Sequence, residues 1–279
     1  MLSKTLKQDI LSILPIWLFL SAVALFSSLA LGAGISLINS EATGWADVIG
    51  VLLLIFTVML LSGYFIATFV FIGVRFYRNF YTDEGYLTFT LPVRRSTLYF
   101  SKVLSGVIFM LATSLVVLLS VSIGLLLVPM GEGSTIFGIA IRYIWELLRA
   151  SIQGLKWNMG SVILVLLGVL IAIGTLVYEI LVMFLCITVG SVIAKKHKLL
   201  LSIVCYYAFN AILGTVSSFG QLILTVFSPY LMMSLAYHAV APVVWVNLIL
   251  LACLGFMIVA LSVIYYETRR MIENKLNLP

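Results

Sequence analysis

The chain has 279 residues, 63% of them hydrophobic and 9% charged, with a formal net charge of +6 and a mean hydropathy of +1.23. Soluble domains carry about 25% charged residues, so this composition excludes a soluble globule. Only helices and closed barrels satisfy their backbone groups in lipid, and the long uninterrupted apolar runs exclude a barrel, whose strands alternate over about 10 residues.

A helix crosses a ~30 Å hydrocarbon core with about 20 apolar residues. Met1–Asp9 is short and basic, with Leu2, Leu6 and Ile10 at helical spacing. The 29 uncharged residues of Ile10–Ile38 are too long for the apolar region of a signal peptide, so they predict a retained first span. Pro15 is expected to kink that span or to begin it. After the acidic loop Glu41–Asp47, a second uncharged run covers Val48–Val74.

Arg75–Lys102 is a polar interruption of 28 residues with five Lys or Arg (Arg75, Arg78, Arg94, Arg95, Lys102) and two acids (Asp83, Glu84). A loop that merely joined two spans needs four or five residues. Within this one lies a short apolar segment, Tyr86, Leu87, Phe89 and Leu91, between Gly85 and Pro92. Apolar side chains facing the cytoplasm need a partner or the lipid interface, so two readings stand: an interfacial loop or a docking element. Ser96 reads as an N-cap for a third span that begins near Thr97 and runs to Val128.

In Gly131–Asn158, Arg142, Glu146, Arg149, Gln153 and Lys156 fall within about 80° of helical arc. This predicts an amphipathic helix over 136–157, lying in an interface or packed on the bundle. Asn158–Ala194 is uncharged except for Glu179 and would be about 55 Å long as a helix. It must protrude, tilt, or break, with Gly168 and Gly174 as the places to break. Leu199–Tyr237 is also too long for one span and reads as a fifth span over 199–220 followed by a partly inserted piece before Pro242. Val243–Tyr266 is the sixth span, followed by a polar tail.

With the N-terminus in the cytoplasm, the inside segments hold 13 Lys or Arg and the outside loops hold 3, all on the amphipathic segment. The positive-inside rule then predicts six spans with both termini cytoplasmic. The expected architecture is an all-α membrane protein forming a single transmembrane domain over residues 1–279. Its spans are near 12–38, 48–74, 101–128, 160–194, 199–220 and 243–266. A cytoplasmic loop lies between spans two and three, and an outer amphipathic helix between spans three and four.

Few residues carry chemistry. The phosphate-binding pattern GxxxxGK[ST] does not occur, nor does HExxH. His197 and His238 lie in different loops, and Cys186, Cys205 and Cys253 lie in apolar runs without metal-ligand spacing. No cofactor, metal or nucleic acid is expected on this chain. Glu179 is the exception, since an ionised acid at mid-bilayer costs ~2.5–3.5 kcal/mol or more. It is a proton or cationic-substrate site facing a cavity, a protonated carboxyl hydrogen-bonded to a neighbouring helix, or an interfacial group. Ala30/Gly34 and Gly214/Ser218 permit close helix approach within a bundle or a dimer.

The segment Glu84-Gly85-Tyr86-Leu87-Thr88-Phe89-Thr90-Leu91-Pro92, with its following basic pair and Ser101-Lys102, resembles the loop of bacterial ATP-binding-cassette exporter permeases. The resemblance is to the small six-span type common in Gram-positive bacteria. Gly190-Ser191 and Lys196-His197-Lys198 are similar to the same group. The resemblance implies a coupling helix between spans two and three that docks on a separately encoded ATPase carrying Mg·ATP, and a second permease, identical or paralogous. It implies coupling roles for Asp83, Glu84, Gly85, Tyr86, Leu87, Phe89, Leu91 and Pro92, with Arg94 and Arg95 as supporting contacts or headgroup anchors. The expected function is export across the cell membrane of a hydrophobic or amphipathic cargo (peptide, lipid or drug), by a subunit that is not itself an enzyme. The alternatives are an ion-gradient carrier using Glu179, and a non-transporting sensor or immunity protein that binds through 131–158.

Overall fold

A computed structural model describes residues 2–39, 44–82, 95–130, 134–135, 159–194, 197–215, 218 and 242–274. Among the described residues the helices are α1 (Leu2–Asn39), α2 (Trp45–Tyr81), α3 (Arg95–Leu126), α4 (Met159–Ile193), α5 (Lys198–Thr215) and α6 (Pro242–Asn274). All six are long and apolar enough to cross a membrane. Between α3 and α4, β1 (Pro129–Met130) pairs antiparallel with β2 (Ser134–Thr135), in the register Pro129 to Thr135 and Met130 to Ser134. Segment 136–157, expected to be amphipathic, lies outside the described residues, as does 219–241, which holds the expected inserted piece.

Three local expectations change. Pro15 lies inside α1 and does not begin it. Ser96 is in the first turn of α3, which already includes Arg95, and so is not its cap. The run from Met159 to Ile193 is one helix without a break at Gly168 or Gly174. At ~1.5 Å per residue its 35 residues extend about 52 Å, far beyond the hydrocarbon core.

The polar stretch between spans two and three is also less loop than its charge suggests. Helix α2 continues through Arg75 and Arg78 to Tyr81, and α3 starts at Arg95. Charge marks where lipid ends, but it does not end a helix whose other face is buried. Phe76 and Phe80, one helical turn apart, are both buried, and so are Leu98, Tyr99 and Lys102 in α3.

The chain gathers into two compact units, and the division passes through α2 and α3. The first unit comprises Met1–Val74 and Leu104–Lys156. Here α1 packs on α2 and α3 through small residues. A Cβ on Gly34 would stand 3.0 Å from the Gly50 carbonyl oxygen of α2, and one on Gly32 would stand 2.9 Å from the Gly124 carbonyl oxygen of α3. Such close backbone approach is available only where side chains are absent. Hydroxyls fasten the same seams. Ser120 donates to the Ala24 carbonyl at 2.6 Å, and Trp17 Nε1 donates to Thr113 Oγ1 at 2.9 Å. Ala24, Leu61 and Tyr64 form a small core beneath Leu20, Val116, Val117 and Val121.

The second unit comprises Arg75–Val103 and Trp157–Pro279. Its centre is the second half of α4, where Ile180, Leu181, Val182, Met183 and Phe184 are all buried in succession. Five consecutive buried residues cover the whole circumference of a helix, so this stretch is enclosed on every side. A Cβ on Gly190 would stand 2.6 Å from the Ser202 nitrogen and 2.7 Å from its Cα, which brings α5 back against α4. Ser202 donates to the Lys198 carbonyl at 2.8 Å and lies 3.4 Å from that of Ile187. Gly174 leaves room for Met257 of α6.

Candidate functional site

The expected coupling residues divide. Asp83, Glu84, Gly85, Tyr86, Leu87, Phe89, Leu91, Pro92 and Arg94 lie outside the described residues, and Arg95 lies inside them. What the structure defines is the mounting of that segment, the last turns of α2 and the first turns of α3.

Both ends are anchored by aromatic rings. Phe76 of α2 stacks on Phe184 of α4 with ring centroids 4.0 Å apart and planes at 12°. Phe80 packs on Phe76 at 4.9 Å, and Tyr99 of α3 meets Phe76 edge-on at 6.2 Å. Tyr99 also lies 5.1 Å from Tyr265 of α6 and 6.4 Å from Phe184. Rings at these separations add about 0.5–1.5 kcal/mol per pair beyond their burial. Phe76, Phe80, Tyr99 and Phe184 are each no more than 1% exposed.

Hydrogen bonds close the cluster. The Tyr81 hydroxyl donates to Thr188 Oγ1 at 2.9 Å, and Thr188 donates to the Phe184 carbonyl at 2.8 Å. Thr188 is thereby used on both sides in a fully buried position. The Arg95 guanidinium approaches the Glu273 backbone carbonyl at 3.4 Å, near the end of α6. Ile264, Thr268 and Ile272, at helical spacing, form a buried stripe along the last turns of α6. On the same turns, Arg269 pairs with Glu273 at 3.0 Å and Arg270 with Glu267 at 3.9 Å, all four being exposed or half-exposed. Exposed helical pairs of this kind contribute little, about 0.3–0.5 kcal/mol.

Sequence reasoning named none of these rings as a cluster. A signal was present in the segment RFYRNFY, where Phe76 and Phe80 recur at helical spacing among charges. That pattern belongs to an amphipathic helix end and not to a loop.

Glu179 lies near the middle of α4 and is half-buried. Its carboxylate accepts a hydrogen bond from the Tyr206 hydroxyl of α5 at 3.0 Å. Asn210, one turn further along α5, donates to the Tyr206 carbonyl at 3.1 Å. The carboxylate is therefore bonded to a neighbouring helix. Tyr206 was not foreseen, because nothing in the sequence pairs residue 179 with residue 206.

Of the small-residue pairs, Gly34 makes an intramolecular seam, whereas among the described residues a Cβ on Gly214 would meet no atom within 4 Å. Cys186 is buried, Cys205 half-buried and Cys253 exposed, and all three are free thiols. His197 is exposed, and His238 lies outside the described residues. Among the described residues no three His, Cys, Asp or Glu side chains gather to hold a metal ion.

No family model, curated protein or solved structure matches the chain.

Proposed function

We propose that the chain is the transmembrane subunit of an ATP-binding-cassette exporter of the small six-span type, in a bacterial cell membrane with both termini cytoplasmic. A separate ATPase docks on the segment between α2 and α3, and a second permease, identical or paralogous, completes the route. The cargo is hydrophobic or amphipathic. One observation carries the reading: the segment that resembles a coupling loop is borne by two helix ends packed into the core around α4 and α6. A loop that only connected two spans would not need such an anchorage. ATP bound to the ATPase moves the equilibrium of this chain only if it favours one arrangement of the docked segment over another.

The test is affinity purification of the tagged chain from its native membrane in mild detergent, with identification of what accompanies it. A near-stoichiometric soluble ATPase with a phosphate-binding loop is expected. Gly85→Trp is expected to abolish the complex-stimulated ATPase while the chain remains in the membrane. Unchanged ATPase in that variant sinks the docking site.

The half-buried place of Glu179 near the middle of α4 supports a second reading, an ion-gradient carrier that uses an intramembrane acid, although its hydrogen bond from Tyr206 is what a purely structural role would show. It predicts transport that falls on addition of a proton uncoupler and in Glu179→Gln, with no ATPase required.

A further inference from the structure

We propose that Glu179, with Tyr206 and Tyr207, is the recognition site for the head of a cationic amphiphile resident in the cytoplasmic leaflet. This rests on the exporter reading and narrows its cargo to molecules with a quaternary or protonated nitrogen at the polar end.

The aromatic clasp of Phe76, Tyr99, Phe184 and Tyr265 ties four helices of the second unit at one level. Phe184 of α4 lies 4.0 Å from Phe76 of α2 and 6.4 Å from Tyr99 of α3, and Tyr99 lies 5.1 Å from Tyr265 of α6. Charge begins at that level. Arg75 adjoins Phe76, and Glu267, Arg269 and Arg270 follow Tyr265 on exposed or half-exposed turns. Such turns stand in water or among headgroups, so the hydrocarbon ends near Phe184. Glu179 is five residues further into the lipid along α4, about 7.5 Å. It therefore lies just beneath the headgroups of one leaflet and not at the bilayer centre. With the termini cytoplasmic, that leaflet is the inner one.

The structural bond does not use up the acid. Tyr206 donates to Glu179 Oε2 at 3.0 Å, and among the described residues Glu179 forms no ion pair, while Oε1 is neither bonded nor buried. A carboxylate in lipid without a counter-charge is costly, and a bound cation supplies one. Tyr207 stands edge-on to Tyr206, with ring centroids 6.1 Å apart, and is 70% exposed. An open tyrosine ring one residue from the carboxylate's own donor suits a substituted ammonium, which is held by charge and by the ring quadrupole together. Toward the bilayer centre, Leu170 and Ile173 of α4 and Ile212 of α5 are exposed, so an alkyl chain hanging from the cation stays among apolar groups. Phospholipid heads are disfavoured, because each carries a phosphate that Glu179 repels.

The test uses the full chain in lipid nanodiscs and tritiated dodecyltrimethylammonium, a permanent cation that cannot deliver a proton. Retention above that of empty nanodiscs is expected. Glu179→Gln keeps an oxygen for Tyr206 and removes the charge, and it should weaken binding at least about tenfold. Glu179→Asp, which keeps the charge, should recover most of the affinity. Tyr207→Ala should weaken binding about two- to fivefold, and Tyr207→Phe should leave it intact. Dodecanol, with the same chain and no charge, should not displace the cation. Equal affinity in Glu179→Gln overturns the proposal, and so does displacement by dodecanol, which would leave an apolar groove only. Failure of the parent to retain the cation also overturns it, but an ATPase that still co-purifies then keeps the exporter reading with another cargo. Retention by a chain that no ATPase accompanies supports the site and sinks the exporter reading.

Discussion

The two units differ in what fills their main seams, although the second also has a close backbone approach, at Gly190 and Ser202. In the first, backbones meet backbones, Gly32 against Gly124 and Gly34 against Gly50, and the Ser120 hydroxyl bonds the Ala24 carbonyl. In the second, large rings fill the space between helices, with Phe76, Phe80, Tyr99 and Phe184 buried together. Lipid supplies no hydrophobic drive between helices, so within a bilayer close van der Waals approach and hydrogen bonds must hold them. The ring cluster sits where α2 and α3 pass into their charged ends, and near the water interface burying a ring becomes favourable again. The contrast teaches that the same chain packs by two rules, and that substitutions should fail differently in each.

The largest effect is expected from Phe184→Ala. It removes the ring that Phe76 stacks on, and core truncations of this size cost about 3–5 kcal/mol. A fall in the thermal midpoint of the detergent-purified protein would register it. If Phe184→Ala melts like the parent, the clasp is not a core. Next comes Gly32→Leu, which would drive a side chain into the Gly124 backbone 2.9 Å away. Overpacking costs about 1–3 kcal/mol, and neither partner backbone can rotate aside. Gly63→Leu on α2 is the control, because among the described residues nothing lies within 4 Å of a Cβ built there. Equal stability of the two leucine variants would erase the distinction between the units.

A smaller effect sharpens the comparison at single hydrogen bonds. Trp17→Phe keeps an aromatic ring near Phe109 but loses the bond to Thr113, and about 1 kcal/mol of stability should go with it. Tyr206→Phe should cost a similar amount, about 1–3 kcal/mol, since Glu179 loses its donor in a half-buried site. Glu179→Gln should be the mildest, below about 1 kcal/mol, because the amide oxygen still accepts from Tyr206. A large loss of stability in Glu179→Gln, measured by the same melting assay, would mean that charge, and not hydrogen bonding, holds α4 to α5.

The sequence by itself determined the class of the molecule. Six helices follow from apolar runs cut by charge, because transfer into lipid is a property of each residue alone and sums along the chain. The close approach at Gly34 was legible only as a contact within a bundle or a dimer, since small residues at four-residue spacing permit close packing without choosing its partner. Segment 83–94 was singled out from its residues, but the packing of the helix ends on either side of it was not. Hydropathy cannot tell a charged helix end from a loop, because the rings that keep Arg75–Tyr81 helical find their partners about 100 residues away, at Phe184 and Thr188. The same holds for Gly190, whose missing side chain has meaning only once Ser202 is laid against it, and for Glu179, whose donor is on another helix. These are pair properties of residues distant in the chain, and only the tertiary structure could decide them.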